Sequence, residues 1–307
     1  MKKKILPRLS SLLSLSSAFL LAGCDWATLN PKGIIGVQEK SLLLTSTYAM
    51  LLVVVPVIVL TLLFAWQYRH TNTSADYLPK WSHSNKIEVV IWTVPSLIIL
   101  FLAVLTYQTC QSLDPYRPLN DETNVKPIHV DVVALDWKWL FIYPDEGIAT
   151  VNQLAFPVNT PVDFRITSDS VMNSFFIPQL GSQIYAMAGM QTQLHLIASE
   201  AGNYLGESAN FSGRGFSDMR FRALTMSNDD YAAWIQKVKA SSEQLDSTNY
   251  PKLAAPSEAN PVEYFSHAAP GLFDGIVAKY NNGMVMDKST GKMLHVQSAM
   301  SDMNMKE

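Results

Sequence analysis

Two long stretches without a charged residue, 41–68 and 89–113, limit this chain to folds that contain membrane-spanning helices. Each stretch exceeds the roughly 20 apolar residues that a helix needs to cross a hydrocarbon core about 30 Å thick. The sequence therefore predicts a transmembrane hairpin with helices at about 42–67 and 88–110, inside an anchor region of residues 24–113.

The N-terminus is typical of a bacterial export signal. A basic start precedes a short apolar run over residues 9–21. The run ends in Leu-Ala-Gly-Cys, which resembles the lipoprotein signal whose cysteine, here Cys24, is lipidated after cleavage. We therefore predict a signal peptide over residues 1–23 and a lipid on Cys24, with an ordinary signal and a chance cysteine as the alternative.

The export signal also predicts the orientation of the chain. A lipidated Cys24 lies outside the cytoplasmic membrane, so the loop between the two helices lies inside and the chain from Asp114 onward lies outside. The loop carries Arg69, Lys80 and Lys86, which agrees with the preference of cytoplasmic loops for positive charge. We expect a multi-pass protein of the bacterial inner membrane with a C-terminal domain in the periplasm.

The charge is distributed unevenly along the chain. The first 113 residues hold nine basic and four acidic side chains, whereas the remainder holds 14 basic and 22 acidic ones. An acidic outer domain argues against nucleic acid as a partner, because nucleic-acid binding requires a basic surface.

After Pro118 the pattern of apolar residues changes to a period of two. Residues 128–132 and 162–167 alternate strictly between apolar and polar side chains. Further candidate strands are 137–143, 183–187, 192–198, 203–206 and 221–226. Many short strands separated by turn residues predict a β-sandwich or a barrel.

The remainder of the chain, from residue 228, is predicted to be a helical and aromatic-rich segment that ends at residue 280. Ser227 is a candidate N-cap for a helix with one apolar face, formed by Tyr231, Trp234, Ile235 and Val238. Residues 241–260 are predicted to be irregular. The methionine-rich tail, 281–307, is predicted to be disordered rather than a copper(I) site.

The order of export signal, helix hairpin and β-sandwich resembles subunit II of the haem–copper respiratory oxidases, and two motifs carry the resemblance. Residues 173–181, Asn-Ser-Phe-Phe-Ile-Pro-Gln-Leu-Gly, are similar to the family motif His-Ser-Phe/Trp-x-x-Pro-x-Leu-Gly. Residues 206–219 align without gaps on the family run Cys-x-x-x-Cys-x-x-x-His-x-x-Met. The resemblance implies a membrane α+β protein with a cupredoxin-like Greek-key sandwich over residues 114–227.

The chain departs from the family where copper would bind. The family's dinuclear copper centre uses two histidines, two cysteines, a methionine and a backbone carbonyl of a glutamate. In this chain the six matching positions, here called the vestigial positions, are Asn173, Phe216, Ser208, Ser212, Met219 and Asn210. Hydroxyl groups and a phenyl ring do not replace the soft thiolate and imidazole ligands of copper. We therefore predict no metal on this chain.

A subunit II without this centre resembles the quinol-oxidising branch of the family, the cytochrome bo type. Cytochrome c is soluble and needs an electron relay outside the membrane, whereas ubiquinol in the lipid can reduce a haem of the partner directly. The resemblance implies haem b, haem o and CuB on the partner subunit I and none of them on this chain. It also implies further small membrane subunits, contact with the lipid bilayer, and no binding of cytochrome c.

Glu88 lies at the cytoplasmic mouth of the second predicted helix. Asn85 and Glu88 have the spacing of a capping box, and an acidic residue in the first turn suits the helix dipole. A carboxylate beside a membrane pathway can also take up protons, and the resemblance implies that role for Glu88. The two roles are compatible, and no catalytic residue is expected on this chain.

Two other functions remain open. One is a cytochrome c oxidase subunit II with a degenerate copper site, which metal analysis of the outer domain would distinguish. The other is a periplasmic binding lipoprotein that uses the cupredoxin scaffold for a ligand. The uncharged hairpin argues against the second, because lipidation would be enough to anchor a binding protein.

Overall fold

The structure is a computed structural model that describes residues 26–76, 80–119, 122–123, 125–281, 284–286 and 293–295. The predicted signal peptide and Cys24 lie outside the described residues. The described residues form two compact units, one within residues 37–118 and one that joins residues 26–36 to the described residues from 119 onward.

The unit of residues 37–118 contains the two apolar helices. Helix α1 spans Ile34–Gln67 and helix α2 spans Asn85–Ser112. Both are long and apolar enough to cross a membrane. Helix α1 begins before residue 42, the predicted start, because charged side chains mark the edge of an apolar stretch and do not end a helix.

The other unit is a β-sandwich with a C-terminal extension. The strands of the sandwich are β1 Ile128–Leu135, β2 Lys138–Tyr143, β3 Ile148–Val151, β4 Gln153–Pro157, β5 Val162–Ser168, β6 Asn173–Phe176, β7 Ile184–Ala186, β8 Thr192–Leu196, β9 Gly202–Ser208 and β10 Arg220–Met226. The extension consists of α3 Asn228–Lys239, β11 Gln244–Leu245, α4 Tyr250–Ala254, β12 Glu263–Phe265, β13 His267–Ala268 and α5 Leu272–Lys279. One sheet has the order β12-β3-β2-β1-β5-β8 and the other β4-β10-β9-β6-β7.

The space between the two sheets is filled by apolar side chains that alternate along the strands. Val130 and Val132 of β1 and Phe164 of β5 all belong to this core. The rings of Phe175 and Phe221 stack in it with their centroids 5.2 Å apart. Burial of apolar surface, at about 25 cal/mol per Å², is the main stabilising contribution to such a core.

The outer face of the six-stranded sheet is covered by the C-terminal extension. Val133 and Leu140 on this face form a second apolar cluster with Phe265, Phe273 and Ile276 of the extension. The aromatic segment 264–280 therefore packs on the sheet, and every residue of β2 and β3 is buried.

The two strands predicted from strict alternation, β1 and β5, and the five further candidates, β2, β7, β8, β9 and β10, are all present. Strands β3, β4 and β6 are not among the predictions. Strand β3 is buried throughout and has no alternation, which is the signal that predicts a half-exposed strand. Asn152, with a φ of 57°, separates β3 from β4.

Helix α3 begins as the sequence predicts. The Ser227 hydroxyl accepts a hydrogen bond from the amide of Asp230 at 3.2 Å, which satisfies one of the free donors of the first turn. The four residues predicted for the apolar face are buried, namely Tyr231, Trp234, Ile235 and Val238.

One expectation for the C-terminal part differs from the structure. Residues 241–260, predicted to be irregular, contain β11 and α4, because polar residues there form turns: Asp246 accepts the amides of Thr248 and Asn249 at 2.8 and 2.9 Å.

The structure describes only residues 281, 284–286 and 293–295 of the methionine-rich tail, where β14 Met284–Met286 pairs with β15 Met293–His295. The rest of the tail lies outside the described residues, so its predicted disorder stays a prediction.

Hydrogen bonds to Asp169 connect the C-terminal extension to the sandwich. Its buried carboxylate accepts hydrogen bonds from the Tyr250 hydroxyl at 2.8 Å, the Lys279 amine at 2.7 Å and the Tyr280 hydroxyl at 2.9 Å. The hydrogen bond to Asp169 raises the pKa of Lys279. Burial and the negative charge of Asp169 raise the pKa of Tyr250, which keeps its hydroxyl a donor.

Residues 26–36, here called the N-terminal strap, belong to the sandwich unit. The amide of Lys32 donates to the carbonyl of Gln179 at 2.6 Å, and the amide of Gly36 donates to that of Leu180 at 3.0 Å. Gly33 forms a bridge with Ala198. The first amides of α1, which a helix cannot satisfy itself, thus find acceptors on the sandwich.

The close packing of the N-terminal strap predicts that Gly33 does not tolerate a side chain. A Cβ at Gly33 would lie 2.6 Å from the carbonyl oxygen of Leu180 and 2.9 Å from that of Ile197. Overpacking of this kind costs about 1–3 kcal/mol, so Gly33→Ala should lower the melting temperature of the solubilised full-length chain.

The matched control is Gly275→Ala in α5. A Cβ at Gly275 meets nothing within 4 Å, and alanine favours a helix over glycine by about 1 kcal/mol, so this variant should melt at the wild-type temperature or above it. Equal melting temperatures for Gly33→Ala and the wild type would contradict the close packing of the strap.

Candidate functional site

The vestigial positions lie at one end of the sandwich. Asn173 begins β6 and Ser208 ends β9. The remaining four, Asn210, Ser212, Phe216 and Met219, lie on the loop that joins β9 to β10. Because β6 pairs with β9 next to this loop, the fold brings residues that are 35 positions apart in sequence into contact.

Ser208 is the centre of a hydrogen-bonded group. Its hydroxyl donates to Oδ1 of Asn173 at 3.0 Å and lies 3.2 Å from the carbonyl oxygen of Asn210. It accepts a hydrogen bond from the amide of Ser174 at 3.4 Å. Both Asn173 and Ser208 are buried, so these bonds satisfy polar groups that would otherwise be costly to desolvate.

A second group joins Ser212 to Met219. The Ser212 hydroxyl lies 3.9 Å from the sulfur of Met219, and both residues are buried. The carbonyl of Ser212 accepts a hydrogen bond from Nε1 of Trp137 at 2.9 Å. The Trp137 ring also fills the space beside Gly215, where a Cβ would lie 2.6 Å from it. Trp137 thus closes the loop from the side.

The remaining two vestigial positions, Asn210 and Phe216, contact residues outside the set of six. The side-chain amide of Asn210 donates to the carbonyl of Met172 at 3.0 Å. The half-buried ring of Phe216 contacts Phe211 edge to face, with centroids 5.5 Å apart, and Phe211 is itself 75% exposed. The structure therefore brings the six positions to one end of the sandwich, where two pairs, Asn173 with Ser208 and Ser212 with Met219, contact each other, while Asn210 and Phe216 contact other residues.

These donors do not fit a dinuclear copper centre. Copper needs soft ligands, and among the six positions only the thioether of Met219 is soft. Among the described residues, no group of three or more histidine, cysteine, aspartate or glutamate side chains could hold a metal ion.

The histidines of the outer domain have other partners. Nδ1 of His195 lies 2.7 Å from Asp163, and Nδ1 of His129 lies 3.2 Å from Asp145. His267 is exposed at β13. The side chain of His295 lies outside the described residues. The side chains of His195 and His129 therefore contact aspartate side chains and none of the six vestigial positions.

Glu88 lies in the first turn of α2 and does not form the predicted capping box. The helix begins at Asn85, so the N-cap is Ser84, and its side chain makes no capping hydrogen bond. The amide of Glu88 donates to the carbonyl of Ser84 at 2.9 Å. Its carboxylate instead lies 3.3 Å from Nδ1 of His83.

Sequence reasoning missed His83 and Trp137. His83 directly precedes the N-cap, Ser84, and a side chain at that position can fold back over the first turn of the helix. A histidine before an N-cap that is followed by an acidic residue in the first turn therefore predicts a contact of this kind. Trp137 lies far along the chain from Ser212, and no local pattern predicts that contact.

Two family descriptions match this chain. "Cytochrome C oxidase subunit II, periplasmic domain" matches residues 123–223, which include strands β1 to β9, the first half of β10 and all six vestigial positions. "COX Aromatic Rich Motif" matches residues 239–284, which include the part of the extension that packs on the outer face of the sheet.

Curated relatives cover the chain almost completely. The ubiquinol oxidase subunit 2 of Acetobacter aceti is 75% identical and is aligned over 100% of both chains. The cytochrome bo(3) ubiquinol oxidase subunit 2 of Pseudomonas putida is 54% identical, over 99% of this chain and 94% of its own. The protein of the same name from Pseudomonas aeruginosa is 57% identical, over 88% of this chain and 81% of its own.

The hydrogen bonds of Ser208 can be tested by removing its hydroxyl. Ser208→Ala leaves the buried Oδ1 of Asn173 without this donor, at a cost of about 1–3 kcal/mol. The free energy of unfolding should fall by that amount in a denaturant titration of the solubilised chain.

Ser217→Ala is the matched control, because Ser217 is an exposed serine on the same loop. It should change the free energy of unfolding by less than about 0.5 kcal/mol. If the two variants unfold alike, the hydrogen bonds of Ser208 do not hold the loop.

Proposed function

This chain belongs to the family of ubiquinol oxidase subunits 2, and from that membership we propose that it is the second subunit of a proton-pumping oxidase that oxidises ubiquinol and reduces O₂ to water. The chain carries no redox centre of its own in this proposal. It caps the catalytic subunit from the periplasm and contributes to proton uptake from the cytoplasm.

The observation that carries the proposal is the hydrogen-bonded group at the vestigial positions. A donor in the aqueous phase would need an electron relay in the outer domain. Ser208 and Ser212, at the positions of the thiolates, instead contact Asn173 of β6 and Met219 of the loop. Ubiquinol dissolved in the lipid needs no such relay, because it can reach the partner within the membrane.

The redox chemistry belongs to the partner. Haem b, haem o and CuB of subunit I would supply electron transfer and O₂ reduction. The residues of this chain hold the outer domain in place: the strap, the Asp169 hydrogen bonds and the aromatic extension make it one packed unit.

The membrane attachment is part of the same proposal. Residues 1–23 act as a lipoprotein signal peptide, Cys24 carries the lipid, and the two apolar helices cross the inner membrane. Subunit I and further small membrane subunits are the proposed partners, and the lipid bilayer surrounds α1 and α2.

The degenerate cytochrome c oxidase and the binding lipoprotein are less well supported. The first requires soft ligands that the vestigial positions lack. The binding lipoprotein does not explain why relatives named as oxidase subunits align over nearly the whole chain.

Co-purification tests the proposal directly. A tagged form of the full-length chain, solubilised from its own membranes, should bring down a haem-containing partner that oxidises ubiquinol but not reduced cytochrome c. With CuB as the one copper site, the complex should contain one copper atom for every two haems.

Two results would contradict the proposal. A chain that purifies without haem is not an oxidase subunit. A ratio of three coppers to two haems would show that a dinuclear copper centre has formed in spite of the serines.

Proton uptake through Glu88 is tested by Glu88→Gln, which keeps the size of the side chain and removes its charge. Turnover of the purified complex should fall by about 100-fold, the lower end of the range for a lost proton-transfer group, while its haem content stays unchanged. Asp76→Asn, an exposed acid in the same interhelical connection, is the control and should turn over normally. Unchanged turnover for Glu88→Gln would mean that Glu88 only interacts with the positive end of the α2 dipole.

A further inference from the structure

The two paired strands of the methionine-rich tail place thioether and imidazole residues on one face. In the antiparallel register of β14 and β15, Met284 lies opposite His295. Met286 lies opposite Met293 in the same way. Directly opposite residues of such a pair share a face, and so do residues two apart along one strand. One face, here called the soft face, therefore carries Met284, Met286, Met293 and His295.

The spacing on the soft face suits one shared ligand. The Cβ atoms of opposite residues in an antiparallel pair lie about 4.5–5.5 Å apart, and diagonal neighbours lie about 7–8 Å apart. Methionine is unbranched and has three rotatable bonds, so side chains at these four positions are long enough to reach one ion. The methionines of the tail have no tight repeat in the sequence, and it is the pairing of the two strands that sets this spacing.

We propose that the soft face binds one copper(I) ion. Thioether is a soft, neutral donor that selects copper(I), and imidazole also suits copper. None of the four residues carries a thiol or a carboxylate, which are the groups that zinc and the hard cations use as ligands. The ligand class is therefore a soft monovalent cation, for which silver(I) is a probe of the same chemistry.

The soft face is separate from the vestigial positions. Those lie at the start of β6, at the end of β9 and on the loop between β9 and β10, where hydroxyl groups and a phenyl ring do not suit copper. Strand β14 follows helix α5 and lies beside it. Copper(I) binding at the soft face is independent of the proposed oxidase function, and it is measured without turnover.

The ion on the soft face is expected to be exchangeable. All four ligands are neutral, and a two-stranded hairpin by itself is at best marginally stable in water, so binding has to order the hairpin. A copper(I) chelator should therefore remove the ion. The complex washed in this way should keep the one copper for every two haems that the proposed function predicts.

The test is a titration of the solubilised full-length chain with copper(I), in ascorbate and in competition with a chromophoric copper(I) chelator. The chain carries Cys110→Ser, so that its free thiol does not bind copper. One ion should bind per chain, silver(I) should displace it, and zinc(II) should not. Failure to bind copper(I), or displacement of copper(I) by zinc(II), would overturn the proposal.

X-ray absorption at the copper edge identifies the ligands. The bound ion should have sulfur neighbours together with one nitrogen neighbour. The nitrogen neighbour should be lost in His295→Ala, while the sulfur neighbours remain. A spectrum that His295→Ala leaves unchanged would contradict the soft face as the site.

Matched double variants locate the site within the tail. Met286→Leu with Met293→Leu removes one opposite pair and nearly conserves the side-chain volume. Loss of a residue that only supports a ligand costs about 10–100-fold in metal affinity, so loss of two ligands should weaken copper(I) binding at least about tenfold.

The control is Met300→Leu with Met303→Leu, which removes the same number of methionines from the sequence after β15. It should bind copper(I) as the parent chain does. Equal weakening in the two double variants would mean that the composition of the tail, and not the paired strands, binds copper(I). That result would overturn the proposed site, and so would parental affinity in Met286→Leu with Met293→Leu.

Discussion

The loop between β9 and β10 has to keep its shape without metal ligands, and the arrangement of the outer domain depends on how it does so. The Ser208 hydroxyl joins β9 to β6, because it donates to Oδ1 of Asn173 and accepts from the amide of Ser174. Trp137 closes the other side through the carbonyl of Ser212. Each such hydrogen bond contributes about 0.5–1.5 kcal/mol, and together they fix a loop whose spacing matches that of a metal-binding relative.

The sequence predicts most of the sandwich because polar side chains alternate with apolar ones along strands such as β1 and β5, even where the structure buries the polar one, as it does Asp131. Alternation therefore identifies β1 and β5, and the Ser227 cap and apolar stripe identify α3. Alternation fails for β3, since the C-terminal extension buries its outer face. Residues 241–260 are mispredicted for a related reason: their order comes from packing on a distant sheet and from Asp246 turns, not from their own composition.

The site was predictable in its positions but not in its contacts. Spacing alone places Ser208, Ser212 and Met219 on one loop. The pairing of Asn173 with Ser208 depends on β6 lying beside β9, which no local pattern specifies. In the same way, the acidic first turn of α2 is visible in the sequence, whereas the contact of Glu88 with His83 depends on the helix starting at Asn85 rather than one residue later.

The membrane helices and the outer domain meet different requirements. An electron donor that is dissolved in the lipid makes an external relay unnecessary, so the outer domain can exchange soft ligands for neutral hydrogen-bonding groups and keep its fold. Protons still have to come from the aqueous phase, whatever the electron donor is. Ionisable side chains are therefore needed at the aqueous surface, and in the proposed function Glu88, in the first turn of α2, is such a group.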